Sequence, residues 1–337
     1  METKKPLLSI CIPTFNRDYM IKECLNRLCP ITQKYNVQIH ISDNASPDDT
    51  ENVIKEYMNQ YENIYYYKQY ENIGEKNFEF ILKQPDTKYR WLFGDYAFVS
   101  EDNLRTLLTD LSKNDFDMYI VGAINRTEYL NEKIYTTKNA LLSEIGWHMT
   151  LLCCLIYNTD VINKAYCERY YDSNFIQTGI IFEYCSTNDF VIKFNPSIFI
   201  DALPYPKRGH WTNIAFEIFC KKWFLFVMSL PVNYTYEAKK KCILSHDKNT
   251  KLFSVQNLLT WRSLKYFNIK TIFRYKYFIL QTISLPFVFL LLISIVPTNI
   301  SNPLGYLYRR IKSLLLLPVK NVFIDKITPP HQTYKPM

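Results

Sequence analysis

Three short polar clusters each follow an apolar run: Thr14-Phe15-Asn16-Arg17, Asp43-Asn44-Ala45-Ser46 and Gly94-Asp95-Tyr96. Between them they hold two carboxylates, a guanidinium, hydroxyls and amides, the groups that recognise an anionic, hydrogen-bonding ligand. Two other places carry chemistry. Lys207-Arg208-Gly209-His210 is a basic stretch with one imidazole, and Asp172, with Glu183 and Asp189 behind it, is a carboxylate set among Tyr171, Ser173 and Asn174. Asp172 reads either as a general base or as a helix-capping aspartate.

Other chemistries are excluded by spacing. The seven glycines lie twenty or more residues apart, so neither a GxGxxG nor a GxxxxGK[ST] loop exists and a nucleotide must be held another way. Five histidines form no HExxH pair, and nine cysteines form no CxxC pair, which argues against a structural zinc and for free thiols in a reducing compartment. The net charge of +8 suits an anionic partner such as a nucleoside diphosphate or a lipid headgroup. Nucleic acid is the weaker partner, because no recognised motif or concentrated basic stripe is present.

The elements that must position the clusters alternate in period. Residues 7–12, 37–41, 64–67, 90–93 and 117–121 read as strands; 18–29, 50–60, 75–82 and 104–111 carry helical spacing. Such alternation predicts a mainly parallel sheet with right-handed crossovers, and ligands bind beyond the carboxyl ends of its strands. The three polar clusters stand at those ends. Past about residue 145 the periodicity fades into aromatic-rich segments, among them 153–157 and 190–200.

Residues 277–296 contain no charge, enclose Pro286 and are followed by Pro297. Twenty such residues suffice to span a bilayer. Both flanks are basic, with Lys265, Lys270, Arg274 and Lys276 on one side and Arg309, Arg310 and Lys312 on the other. A single span would place one cluster on the disfavoured side, so the segment is expected to lie on, or dip into, an anionic leaflet. The competing expectation is a buried pair of core helices.

Four segments in register resemble the family 2 glycosyltransferases of the GT-A fold. They are Ser9-Ile10-Cys11-Ile12-Pro13-Thr14-Phe15-Asn16-Arg17, the stretch Ile41 to Thr50 with Asp43-Asn44-Ala45-Ser46, Asn72-Ile73-Gly74 followed by Asn77, and Trp91-Leu92-Phe93-Gly94-Asp95. The resemblance covers roughly residues 7 to 100. It implies an α/β, Rossmann-like sheet flanked by helices. Residues 1–125 would form the nucleotide-sugar half, 126–230 the acceptor half, and 231–337 a helical, membrane-associating extension. It also implies a donor site made by Pro13, Thr14, Phe15, Asn16, Arg17, Asp43, Asn72, Gly74 and Asp95, with Asp43 accepting from the nucleobase. The same aspartate could instead hold an Asx turn.

Asp95 is the first position of the family's acidic triplet, but Tyr96 and Ala97 occupy the next two. Alanine cannot coordinate a metal. Three arrangements follow from the resemblance: Asp95 alone holds Mg²⁺ or Mn²⁺; Glu101 or Asp102 joins it; or basic side chains replace the ion, with Lys207 to His210 covering the diphosphate or His210 acting as a ligand. Asp172 and Asp95 are the expected catalytic carboxylates. The expected activity is inverting transfer of a sugar from a nucleotide-sugar donor to a glycan or lipid-linked glycan acceptor. It would take place at the cytoplasmic face of a bacterial cell membrane. The alternative is a catalytically inactive nucleotide- or glycan-binding scaffold in polysaccharide assembly, kept open by the missing carboxylates.

Overall fold

The computed structural model describes residues 6–203 and 210–314. They divide into two units: one takes the residues up to 203 together with Leu230–Thr235, the other takes 210–229 and the residues from 236 onward. The expected donor and acceptor halves thus share the sheet-bearing unit up to residue 203, while 210–229 group with the helical residues after 236.

In the first unit, apolar runs become β1 (Leu8–Thr14), β2 (Gln38–Asp43), β3 (Ile64–Lys68) and β4 (Tyr89–Leu92). They alternate with α1 (Asp18–Lys34), α2 (Thr50–Met58) and α3 (Lys76–Leu82). Next come β5 (Ala97–Val99), α4 (Glu101–Lys113), β6 (Met118–Ala123), β7 (Lys133–Tyr135), α5 (Lys138–Ile145), β8 (Leu155–Asn158), α6 (Thr159–Lys164), α7 (Ile176–Thr187) and β9 (Ile192–Ala202). The strand order is β3-β2-β1-β4-β8-β6-β9-β5, with β7 paired to β9. β1 to β4 are mutually parallel; β8 is antiparallel to both β4 and β6, so β6 runs with β4. β9 continues parallel to β6, while β5 and β7 run against β9. The central strands are buried on both faces, as strands covered by helices must be.

α1 runs past the expected end at residue 29. Pro30 lies inside it and removes one backbone donor, yet Leu25, Leu28, Cys29 and Thr32 are all buried, and that packing carries the helix on to Lys34.

The second unit is helical: α8 (Trp223–Ser229), α9 (Tyr236–Thr250), α10 (Val255–Ser263), α11 (Ile269–Thr282), α12 (Phe287–Ile295) and α13 (Thr298–Leu314). Its core is aromatic, with Phe216 stacked on Phe267 at 5.3 Å and tilted against Phe253 at 4.9 Å. The buried carboxylate of Asp247 accepts from the Phe253 amide and from the amide and hydroxyl of Ser284, which fixes the break between α11 and α12. The uncharged run 277–296 is thus two helices. No single described helix is long and apolar enough to cross a membrane, while Phe287–Ile295 and Thr298–Leu307 together reach that length and composition, bent by 115°. The outcome differs from a fully buried pair: Leu290 and Ile293 are in the core, but Val288, Leu292 and Ile295 are each more than half exposed.

Candidate functional site

The first three polar clusters meet at the carboxyl edge of the sheet. Thr14 and Asp43 are register partners at the last rung of β1 and β2, and the Asn44 amide donates to the Thr14 carbonyl at 2.9 Å. Asp95 follows β4 by three residues on the other side of β1. Its carboxylate is buried, with 6% of the side chain exposed, and accepts from the Thr14 hydroxyl at 2.8 Å and from Arg17 Nη1 at 2.9 Å. Arg17 keeps 21% of its side chain exposed, so the pair lies at the floor of the edge with the guanidinium towards the open side. A charge-assisted pair of this burial holds both groups in one geometry.

The turn after β1 depends on Asn16, whose φ of 54 lies in the left-handed region that asparagine tolerates. Its amide donates to the Ser46 hydroxyl at 2.8 Å, tying the first cluster to the second. Asp48 bridges two helix starts: its carboxylate accepts from the amides of Asp18 and Thr50. Phe15 is exposed beside the turn, and Pro13 stands inside β1 opposite Ser42.

Asp43 is fully buried. One oxygen accepts from the Ser46 amide at 2.9 Å, closing an Asx turn, and the other accepts from the Tyr66 hydroxyl at 3.0 Å. Burial and the bond to Asp43 push the Tyr66 phenol well above its usual range. Each Asp43 oxygen thus keeps one lone pair beyond these bonds.

Asn72 and Gly74 brace the same turn. Asn44 Nδ2 donates to Asn72 Oδ1 at 2.8 Å and to the Gly74 carbonyl at 3.3 Å, and Gly74 takes a φ of 59 that suits glycine. Asn77 exchanges two bonds with Ser42, at 2.5 and 3.1 Å, beneath them.

Tyr96 and Ala97 add no carboxylate beside Asp95. Ala97 opens β5 and is buried in its pairing with Ala202. The Tyr96 ring folds back over Gly94, where an added Cβ would lie 2.6 Å from a ring carbon. Glu101 does not join Asp95, because it binds Lys34 at 2.5 Å and Tyr35 at 2.9 Å; Asp102 pairs with Arg105. No group of three or more His, Cys, Asp or Glu among the described residues could hold a metal ion. A single carboxylate committed to an arginine and a threonine is a poor donor set for Mg²⁺ or Mn²⁺. Lys207, Arg208 and Gly209 lie outside the described residues, as does the side chain of His210.

Asp172 is exposed, in a turn where its φ is 64, and no hydrogen bond or ion pair joins it to Asp95. It does not cap α7 either: the position before that helix is Phe175, and Ser173 Oγ accepts from the Phe175 amide at 3.0 Å. Sequence reasoning passed over Arg126, which follows the carboxyl end of β6. Its one signal is the dipeptide Asn125-Arg126, which repeats the Asn16-Arg17 of the first turn.

The sequence profile of glycosyl transferase family 2 matches residues 9–179, a stretch that contains every cluster just described except the basic one. The chain belongs to glycosyl transferase family 2. Among similar proteins, the abequosyltransferase RfbV of Salmonella typhimurium is 36% identical over 34% of this chain and 35% of its own. A dolichyl N-acetyl-alpha-D-glucosaminyl phosphate 3-beta-D-2,3-diacetamido-2,3-dideoxy-beta-D-glucuronosyltransferase of Methanococcus voltae is 28% identical over 52% of this chain and 60% of its own. The matches thus span about a third and three fifths of these relatives.

Solved structures share the GT-A fold over more of the chain. S. aureus TarS 1-349 in complex with UDP has a TM-score of 0.55 at 16% identity, covering 92% of this chain and 91% of that one. The mannosyltransferase PcManGT of Pyrobaculum calidifontis, in complex with GDP-Man and Mn²⁺, has a TM-score of 0.53 at 13% identity, covering 93% and 88%.

Proposed function

We propose that this protein is an inverting glycosyltransferase that moves a sugar from a nucleotide-sugar donor to a surface-glycan acceptor carried on a polyprenyl lipid. The observation that carries this reading is the buried Asp95 carboxylate, held by Thr14 and Arg17 at the carboxyl edge of a family 2 sheet. The donor would lie along that edge, with its base over the turn that Asp43 closes and its diphosphate towards the open side of Arg17. Asp95 keeps Arg17 oriented and offers its remaining lone pairs to donor hydroxyls. Direct displacement requires a carboxylate base on the acceptor side, and Asp172 is proposed for it because it is exposed and makes no hydrogen bond or ion pair among the described residues.

Calorimetric titration with UDP, GDP, dTDP and CDP, with and without Mn²⁺, tests the reading. Binding of one nucleotide supports it, and the Mn²⁺ arm shows whether Asp95 releases Arg17 for an ion. Failure of all four under both conditions would favour the inactive scaffold, the second reading that Ala97 keeps open.

The second unit supports a place at an anionic membrane surface on the cytoplasmic face. Phe273, Tyr277 and Leu280 on α11 follow helical spacing and are more than half exposed, as are Val288, Leu292 and Ile295 on α12. Exposed apolar stripes beside Lys270, Arg274 and Lys276 match interfacial binding. Co-sedimentation with vesicles containing anionic lipid should be lost on Leu292→Glu with Phe273→Glu. Unchanged pelleting would place the contact elsewhere.

A further inference from the structure

The turns after β1 and β6 are built alike. Asn16 has a φ of 54 and Asn125 a φ of 60, and each is followed by an arginine. β1, β4 and β6 run in one direction, so Arg17, Asp95 and Arg126 all leave the carboxyl edge. Arg17 meets the Asp95 carboxylate. Arg126 meets no carboxylate among the described residues. Its Nε donates to His148 Nδ1 at 3.0 Å, and its Nη2 donates to the Trp147 carbonyl at 3.0 Å and the Thr150 hydroxyl at 3.1 Å. The guanidinium also lies 5.0 Å from the Trp147 ring centroid.

All of these partners are uncharged. His148 Nε2 donates to the Val121 carbonyl at 2.9 Å, which leaves Nδ1 as the acceptor that Arg126 needs. Burial, reinforced by Arg126 itself, holds the imidazole neutral, with its pKa down at about 3. The groups that act electrostatically on Arg126 are the thiols of Cys154 and Cys153 and the phenols of Tyr129 and Tyr96. Burial lowers the guanidinium to about 10, which leaves it charged at neutral pH. Arg126 is only partly buried, and its Nη1, which has no partner among the described residues, is not closed off from solvent, so it is the face of the guanidinium left for an anion. Tyr96, the residue after Asp95, is met by the Cys153 thiol at 3.7 Å, three residues on from the Thr150 that Arg126 holds, so the segment that seats Arg126 also reaches the residue beside Asp95.

We propose that Arg126 binds the diphosphate of the nucleotide-sugar donor and supplies positive charge that the chain's single, already paired acidic position does not recruit through a metal. This rests on the glycosyltransferase reading above. In the transfer, the acceptor oxygen bonds to the anomeric carbon and gives its proton to a general base. The bond from that carbon to the phosphate oxygen breaks, and its electron pair stays on the phosphate. The diphosphate leaves with one more negative charge, which Arg126 holds. His148, Trp147 and Thr150 are positioning residues for it.

The test is calorimetry on the full chain with UDP, GDP, dTDP and CDP in EDTA, followed by the monophosphate of whichever nucleotide binds. Arg126→Gln should weaken the diphosphate about tenfold or more, the size of one charge-assisted contact, and the nucleoside monophosphate much less. Arg126→Lys should recover part of the loss. A folded Arg126→Gln with unchanged diphosphate affinity overturns the proposal, as does an equal loss for diphosphate, monophosphate and nucleoside, the mark of a purely structural role. If Arg126→Gln does not fold, inorganic pyrophosphate decides. It should raise the melting temperature of the wild type more than that of Arg126→Lys, and equal shifts overturn the proposal. Retained diphosphate affinity with a raised KM for a prenyl-phosphate-linked acceptor would also overturn it, assigning Arg126 to the acceptor's phosphate. Wild-type binding that appears only with Mn²⁺ also overturns it, and failure to bind any nucleotide with or without Mn²⁺ sinks the glycosyltransferase reading itself.

Discussion

Arg17 and Arg126 leave parallel strands through turns of the same design, yet their surroundings differ in one respect. Arg17 is neutralised inside the protein, by a carboxylate that Thr14 also holds. Arg126 is surrounded by a neutral imidazole, a carbonyl, a hydroxyl and an indole. The first arrangement is complete without a ligand and serves to place a guanidinium. The second leaves a charge to be met from outside. A site that lacks the second and third acidic positions of its family's triplet needs such a charge, because the departing diphosphate still has to be stabilised.

The largest way to break this comparison is to take the carboxylate from Arg17. Asp95→Ala removes the carboxylate that the Arg17 guanidinium and the Thr14 hydroxyl share, and with it the contrast between the two arginines. Turnover should fall about 10²-fold or more, the size expected when a positioned electrostatic group is lost. Sugar release from the donor found by the nucleotide panel is the measurement. If Asp95→Ala retains near-wild-type turnover, Asp95 is not at the reacting centre.

A second contrast is in pH. His148 supports Arg126 only while neutral, and its pKa of about 3 in the fold lies below its ordinary 6.5. The unfolded chain therefore binds a proton between those values that the native chain does not, and stability is level above about 6.5 and falls as pH drops below it. The slope is about 1.4 kcal/mol per pH unit for one such group. His40 behaves likewise, lowered to about 4 by burial and by Arg90. Urea unfolding at pH 7 and pH 5 should show a loss that His148→Asn reduces by about half. Nucleotide affinity, in contrast, should show no titration from His148 over that interval.

Much of this was legible in the sequence, for physical reasons. A parallel strand buried on both faces is an uninterrupted apolar run, so β1, β2, β4 and β6 were readable, and the polar residues that stop each run are the ones at the ligand edge. Beyond residue 145 that signal is gone. α7 is apolar on all sides because its residues from Ile176 to Phe182 are buried, so it has no amphipathic face to read. β9 pairs with β6 through a register shift at Val121 and Gly122, which no period shows. Asp95, Arg17 and Thr14 come together because three strands end side by side. Arg126 went unread because its partners are Trp147, His148 and Thr150, more than twenty residues away in unpatterned chain. Asp172 went the other way: its polar neighbours looked like a site, and the structure places it in an exposed left-handed turn with no bond to the cluster.

Giving Arg126 what Arg17 already has is a smaller and sharper experiment. Thr150 accepts from Arg126 Nη2, so Thr150→Asp places a carboxylate where a hydroxyl now sits. The new internal pair should compete with the donor and weaken diphosphate binding by about tenfold, while the melting temperature holds or rises. If Thr150→Asp binds diphosphate as well as the wild type, Arg126 does not touch it.

The smallest effect is expected at Glu101, and it bears on why Arg126 is needed at all. Were Glu101 a metal ligand in waiting, it would have to leave Lys34 and Tyr35, swing from the first turn of α4 and displace Arg17 from Asp95. Its bonds to Lys34 and Tyr35 hold its carboxyl below the ordinary range, and they are exposed to water, where such a pair adds little. Leaving that pair is therefore cheap, and the obstacle lies at Asp95, whose bond to Arg17 is buried. Glu101→Ala should thus leave the urea midpoint nearly unchanged, as other surface substitutions do, and leave nucleotide binding with and without Mn²⁺ as it was. A loss of Mn²⁺-dependent binding in Glu101→Ala would show that the carboxylate moves in, and the charge for the diphosphate would then come from an ion shared between Asp95 and Glu101 instead of from Arg126.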